Sequence, residues 1–470
     1  MHIPNQDFKH GNFIHKLFLI FSAYPNTMLI HKGITTFLCV LAFSTVISTL
    51  TAGLANSSAA PGSYDLLVIG PEAYRPHLER FIALKKSQCI ATRYISVEYI
   101  RESLQIGDLT WRIHEFVANE YRNSGIKYLL LVGTYDQVPP KYVYSPSDEA
   151  GLADFNYKPT DWFYAVPDWQ DSQIGLLNGN VPEIAVSRLP VKNSEELERT
   201  ISKIVEVESQ PLKGFFLVFK DDNLAFQPLL NVSDVYYASK TNLSDETLSQ
   251  MLSGNVAYAA TYTHGSPSAL WTKTANGSYT PLITSGDIEQ IKKAYGIHYL
   301  VACFAGALDL ENESLAEALI TSRKGPVLVI ANSRTEILDT PLPSTFWENF
   351  FKTGDVAGSI VQSIQSYLSD TEFFSLQHPA FQKYNLYLCR VVYGDISWKV
   401  ENPEKNILAY PPPASFMNAS SESLSDETSE VECKEFSVFH IFTFAFTIYT
   451  LTAVTCKVKV KKANQKRVPR

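Results

Sequence analysis

The sequence predicts an α/β fold made of two adjacent subdomains with mainly parallel sheets. Three observations carry that expectation. Short apolar runs alternate with amphipathic stretches from residue 64 to 132 and again from 215 to 331, which is the pattern of parallel strands joined by right-handed crossovers. Two of the runs stop abruptly at a reactive side chain with a small neighbour. Val256–Thr263 ends at His264-Gly265, and Ile297–Ala302 ends at Cys303. Such endings are how an open sheet presents chemistry at the carboxyl edge of its strands. The third observation is length: 470 residues exceed one ordinary domain, and two α/β units, sharing a sheet edge or side by side, account for the body.

The elements follow in order. Leu66-Leu-Val-Ile69 is a buried strand, and Pro71 to Lys86 has helical spacing of Ala73, Leu78, Phe81 and Leu84. Thr92 to Val97 is a second strand, Asp108 to Asn123 a helix entered through a cap, and Tyr128 to Val132 a third strand. Residues 145 to 179 are turn-rich, and Asp161 within them suits either a structural or a ligand-facing role. Glu183 to Ser187 returns to strand, and the helix from Ser194 to Glu208, capped by its Ser, joins the two halves. The second half opens with a strand over Phe215 to Phe219, then a helix near Asp234 to Thr241 and another near Thr247. The His264 strand, the Cys303 strand, a helix over Leu315 to Thr321 and a strand from Pro326 to Ala331 complete it.

A thiol and an imidazole on neighbouring strand ends make a nucleophile and its base. Alone, each residue has an ordinary structural reading: Cys is commonly a small apolar core residue, and a His at a strand end a satisfied polar group. The pairing is what points to chemistry. Gly265 lets a backbone N–H approach a substrate carbonyl, and the Cys303 amide supplies a second donor to an oxyanion. A rival base, His298, shares the strand of Cys303. Five residues of strand put it about 16 Å away, and alternation turns it to the other face.

These residues carry a resemblance. Tyr262-Thr-His-Gly-Ser-Pro-Ser-Ala-Leu-Trp271, Val301-Ala-Cys-Phe-Ala-Gly306 and Glu313-Ser-Leu-Ala-Glu-Ala-Leu319 resemble the catalytic core of the gingipain family of cysteine peptidases, in the caspase-like clan. Tyr64-Asp-Leu-Leu-Val-Ile-Gly70, Tyr128 to Thr134 with Val138-Pro-Pro140, Thr160 to Tyr164 and Ile184 to Pro190 resemble its amino-terminal half, and Ala331-Asn-Ser333 and Val392 to Asp395 its last strands. The resemblance spans roughly residues 64 to 400. It implies a caspase-like fold and a cysteine peptidase acting on peptide or protein substrates. It also implies an acidic helper after the strand at Phe219, where Asp221 and Asp222 stand, equally readable as two solvated loop acids. Members of the family that cut after Arg or Lys have an acid at the pocket floor. Asp234 is the nearest residue here, although a helix amino terminus explains an Asp equally well. By the same resemblance, residues Asn332 to Leu338 line the pocket wall.

Composition bounds the rest. Net charge is −8, yet the last fourteen residues hold seven Lys or Arg and no acid. No basic face with interleaved aromatics marks the body, which excludes nucleic-acid binding. Six Cys without CxxC or metal-ligand spacing argue against zinc and redox sites, and no cofactor is expected. Among them Cys89 with Cys389 is the pair open to a disulfide. Residues 1–60 read as a leader and secretory signal, with Met28 a second candidate start, an apolar core from Ile34 to Leu50 and small residues after it. The two subdomains then occupy 61–212 and 213–400, and a Pro/Ser/Glu-rich stalk occupies 401–435, too polar to bury a core and roughly 30 Å in reach. Residues 436–456 form an apolar segment long enough to span a bilayer. The basic tail 457–470 follows and acids precede it, so positive-inside logic expects a single-pass protein with its body outside. Six Asn-x-Ser/Thr sequons, at Asn56, Asn231, Asn242, Asn276, Asn312 and Asn418, all precede that segment.

The expected function is a cell-surface cysteine endopeptidase using His264 and Cys303. Two other classes share the features: a legumain-like transamidase or sorting transpeptidase, and a surface binding module that keeps the fold without catalysis.

Overall fold

Parallel strands buried on both faces read as continuous apolar runs, and the runs above hydrogen-bond into one ten-stranded sheet. The structure is a computed structural model that describes residues 63–144, 157–171, 180–221, 235–238, 248–273, 277–310, 313–335, 341–369 and 387–408. The leader, the apolar segment 436–456, the tail and all six sequons lie outside the described residues. Among the described residues no helix is long and apolar enough to cross a membrane.

In the first half, β1 (Leu66–Gly70) leads through a 3-10 segment, Glu72–Leu78, into α1 (Glu79–Ser87). β2 (Thr92–Ser96), α2 (Val97–Ser103), α3 (Leu109–Ser124) and β3 (Tyr128–Val132) follow. A two-stranded antiparallel pair, β4 (Lys141–Tyr144) and β5 (Tyr157–Thr160), precedes β6 (Ala185–Leu189) and α4 (Ser194–Glu208). The second half runs β7 (Phe215–Lys220), β8 (Val235–Ala238), α5 (Leu248–Leu252) and β9 (Val256–Tyr262). A small antiparallel sheet of β10 (His264–Ser266), β11 (Ala269–Lys273) and β12 (Tyr279–Thr284) comes next. Then come β13 (Ala294–Val301), α6 (Leu315–Thr321), β14 (Gly325–Asn332), α7 (Leu342–Thr353), α8 (Val356–Ser369) and β15 (Arg390–Gly394).

The large sheet has the order β2-β1-β3-β6-β15-β14-β13-β9-β7-β8. Every neighbouring pair in it is parallel except β14 with β15, which is antiparallel. Two parallel half-sheets of opposite direction therefore meet at one seam. β15, the last strand in sequence, belongs by direction to the first half. Alternate residues of the same strands feed two cores: Phe216 and Val218 point into one with Tyr258 and Trp347, Phe215, Leu217 and Phe219 into the other with Leu300 and Leu315.

Three expectations are corrected, and one open pairing is decided. Helical spacing from Pro71 to Lys86 resolves into a 3-10 segment and α1, because Pro76 inside it has no N–H to continue an α ladder. The cap of α4 is Asn193, whose Oδ1 accepts the Glu196 N–H at 3.0 Å, rather than Ser194. The helix expected over Asp234 to Thr241 is replaced by β8, whose Val-Tyr-Tyr-Ala sequence suits a pleated edge pairing with β7. The pairing of Cys89 with Cys389, left open by the sequence, is not a disulfide, because Cys389 is a buried thiol.

One ionic cluster ties the first half together. Lys85 of α1 pairs with Glu208 at the end of α4, at 2.7 Å, and with Asp395 just after β15, all three buried. Gln88 also binds Glu208, and Ser397 donates to Asp395 through both backbone and hydroxyl. One cation faces two carboxylates, and burial pushes the Glu208 carboxyl up to about 8 despite Lys85. Removing the cation strands two buried acids. Lys85→Met is expected to cost about 3–5 kcal/mol of stability, read as a fall in denaturation midpoint; an unchanged midpoint would contradict the cluster's role.

Candidate active site

The register of two neighbouring strands places the candidate dyad. β9 and β13 pair in parallel with Tyr262 opposite Val301, and the Thr263 N–H extends the ladder to the Val301 carbonyl. His264 lies two residues beyond Tyr262 and Cys303 two residues beyond Val301. Equal offsets on strands roughly 4.8 Å apart bring the residues level on one sheet edge. Both are half-buried, and Cys303 is a thiol.

Close packing confirms that the two loops touch. A Cβ at Gly265 would stand 2.3 Å from the Cys303 carbonyl oxygen, 3.0 Å from the Cys303 amide nitrogen and 2.9 Å from the Ala302 Cβ. Only glycine allows the His264-Gly265 backbone to lie against the Cys303 peptide. The imidazole of His264 packs edge-to-face on Tyr279 of β12, with ring centroids 5.0 Å apart. Trp271, opposite His264 in β11, donates its indole N–H to the Ser266 hydroxyl at 3.0 Å. The small sheet thus forms the wall that carries the imidazole.

The cysteine loop is pinned from three directions. Phe304 adopts a left-handed φ of 59°, and its N–H donates to the Arg334 carbonyl at 3.0 Å. Gly306 donates to Asn332 O at 2.8 Å and accepts from the Tyr393 hydroxyl. The first turn of α6 links both loops: the Leu315 N–H reaches Pro267 O on the histidine side, and the Ala316 N–H reaches Ala305 O on the cysteine side. A capping box between Ser314 and Glu317 sets that turn.

The remaining candidates fall as follows. Asp221 is buried at the end of β7; its N–H donates to Tyr262 O, and its carboxylate accepts the Lys273 N–H of β11 at 2.9 Å. It therefore braces the small sheet that carries His264. Asp222, Asp234 and Leu338 lie outside the described residues. Asp161 is a structural acid: it makes a buried bidentate pair with Arg188 at 2.6 and 2.8 Å. His298 is fully enclosed, hydrogen-bonded to Thr261 and Tyr295 at 2.8 Å each, and burial lowers its pKa to about 3.

Sequence reasoning missed the pair Arg334–Asp309, a bidentate contact at 2.9 and 2.7 Å beside the cysteine loop. The sequence puts Arg334 within the expected pocket wall, Asn332 to Leu338, but nothing in it marks the partner, which is 25 residues away. It also missed Tyr279, which no motif marks.

A thiol and an imidazole on adjoining strand ends of an α/β sheet are the groups a cysteine hydrolase would use as nucleophile and base. The chain belongs to peptidase family C25, whose model matches residues 59–392, and is accordingly a cysteine peptidase acting on protein substrates. Two solved structures share its fold. The complex of the pro- and mature domains of RgpB from Porphyromonas gingivalis has 17% identity and a TM-score of 0.54, covering 72% of this chain and 80% of that one. The Arg-specific cysteine proteinase gingipain R (RgpB) has 16% identity and a TM-score of 0.54, covering 73% and 80%. No curated protein matches the sequence.

Two outcomes are expected. Gly265→Ala must displace the Cys303 peptide, so kcat should fall about 100-fold in a protein that still folds; wild-type turnover would show that the two loops need not touch. For His298, the folded pKa lies below the unfolded value of about 6.5, so the unfolded chain takes up the proton first. Its contribution is intact above pH 6.5 and lost as pH falls toward 3, at roughly 1.4 kcal/mol per unit. The wild-type midpoint should drop more steeply between pH 6.5 and 4 than that of His298→Gln. Equal slopes would argue against a neutral buried imidazole.

Proposed function

We propose that the chain is a membrane-anchored cysteine endopeptidase with its catalytic body outside the cell, using Cys303 as nucleophile and His264 as its acid–base partner. The observation that carries this reading is the equal two-residue offset of His264 and Cys303 past the Tyr262–Val301 pair, with Gly265 packed on the Cys303 peptide.

The Cys303 sulfur, as thiolate, attacks the scissile carbonyl carbon, and the carbonyl oxygen becomes an oxyanion. Amides of Gly265 and Cys303 are the donors proposed to hold it. The Phe304 amide is spent on Arg334 O and is not a donor to it. The C–N bond breaks as His264 gives its proton to the leaving amine, which leaves a thioester on Cys303. His264 then takes a proton from water, and the hydroxide attacks the thioester to release the acid and regenerate the thiolate.

Asp221 acts on this scheme by bracing β11, opposite the strand that begins at His264. Asp222 is a second candidate for orienting the imidazole, and Asp234 and Leu338 are the proposed pocket residues. One solved structure of the same fold is described as Arg-specific. An acid such as Asp234 would give this chain a basic preference, by charge pairing with the substrate side chain. Placement outside the cell rests on the signal-like leader, the apolar segment 436–456, the basic residues after it and the sequons before it.

Active-site labelling tests the proposal. An acyloxymethyl ketone peptide series, with basic and neutral residues at the cleavage position, should label the purified extracellular body. Cys303→Ala should abolish labelling, and both Cys303→Ala and His264→Ala should cut peptide turnover by roughly a thousandfold or more. Labelling that survives Cys303→Ala would end the proposal.

A further inference from the structure

The cysteine loop has an anchor that the dyad chemistry does not account for. Loop residues Ala302 to Asp309 leave β13 and return toward the end of β14. At their far end the Asp309 carboxylate meets the guanidinium of Arg334 in a fork, Nη1 to Oδ1 at 2.9 Å and Nη2 to Oδ2 at 2.7 Å. Both side chains are at least nine-tenths buried. The same Arg334 Nη1 donates to the Ser333 carbonyl at 2.9 Å. Tyr142 of β4 covers the pair from the first half: burial, then the charge and hydrogen bond of Asp309, push its phenol upward.

The backbone of the same arginine holds the residue after the nucleophile. The Phe304 N–H donates to Arg334 O, so the Cys303–Phe304 peptide is turned with its N–H toward β14 and its carbonyl toward Gly265. Phe304 keeps a left-handed φ of 59°, which a bulky side chain disfavours. Something must hold it there, and the surroundings over-determine it. One residue, Arg334, thus grips the loop twice: by its carbonyl next to Cys303, and by its guanidinium at Asp309.

We propose that Arg334 and Asp309 are positioning residues for Cys303: their ion pair locks the orientation of the Cys303–Phe304 peptide, and with it the aim of the sulfur at the scissile carbon. Neither side chain is assigned contact with substrate. This inference rests on the reading of Cys303 as nucleophile. An ion pair kept only for stability would leave turnover alone once the variant had folded. A positioning pair lowers kcat and leaves KM nearly untouched, because an aiming error is felt in the transition state rather than in substrate binding.

The test uses the full-length protein, with Cys303→Ala alongside as reference. Asp309→Asn, isosteric and still able to hydrogen-bond, is expected to lower kcat about 10- to 100-fold with KM within about twofold. Arg334→Lys keeps the charge but loses the fork, and is expected to fall between Asp309→Asn and wild type. Alkylation of Cys303 by iodoacetamide, which needs no substrate site, should slow in the same order. Circular dichroism confirms that each variant is folded. Folded variants with wild-type kcat overturn the positioning role, as does failure of both variants to fold, which would make the pair a structural staple. If instead Cys303→Ala keeps full activity, the nucleophile assignment itself fails, and that outcome is distinct from either of these.

Discussion

Parallel pairing of β9 with β13 is the constraint on which the site depends. Ladder hydrogen bonds fix strand register to the residue, and a slip of one position turns every side chain to the opposite face. With Tyr262 held opposite Val301, His264 and Cys303 come out level. The register is itself enforced by burial on both sides: Tyr258 and Ile297 face one core, Ala259 and Leu300 the other. A one-residue slip would exchange the two sets of side chains between two differently shaped cores. Packing therefore stabilises a geometry whose use lies beyond the last paired residues.

Around that edge the loops are short and cross-linked by backbone. Amides of Leu315 and Ala316, both in the first turn of α6, reach the histidine loop and the cysteine loop respectively. The other end of α6 is fixed by cations from α4. Lys203 donates to Leu319 O and Ile320 O, and Arg199 to Thr321 O, meeting the carbonyls a helix leaves unpaired at its end. Burial lowers the Lys203 pKa to about 7, and the nearby cations Arg199 and Lys324 push it the same way. The helix is short, yet both ends are tied, so the two loops share one rigid reference.

How much of this could be read beforehand follows from the range of each interaction. β1, β3, β7, β9, β13 and β14 are continuous apolar runs, and a sequence displays them directly. His264, Gly265 and Cys303 are legible because each marks the end of such a run. β8 was hidden because four residues carry little periodicity, and its strand identity comes from pairing with β7. The strands β10 to β12 escaped for a different reason: their residues are half-polar and short, and hydrogen bonds to one another define them. Arg334 and Asp309 are ordinary charges until the loop between them folds back. The two half-sheets were readable as α/β units that either share an edge or lie side by side, but nothing local shows that β15 lies between β6 and β14 and joins them.

That insertion has a consequence for synthesis. β6 ends at Leu189, while its sheet neighbour β15 is made only at residues 390–394. At ribosomal speeds of 5–20 residues per second, roughly 10–40 s separate the two. Through that interval the nascent chain carries an unsatisfied strand edge on β6, and then a second on β14, both flanked by apolar faces. Such edges are templates for pairing between molecules. The middle of the sheet is therefore the last part of it to close, and both edges need shielding until residues 390–394 arrive.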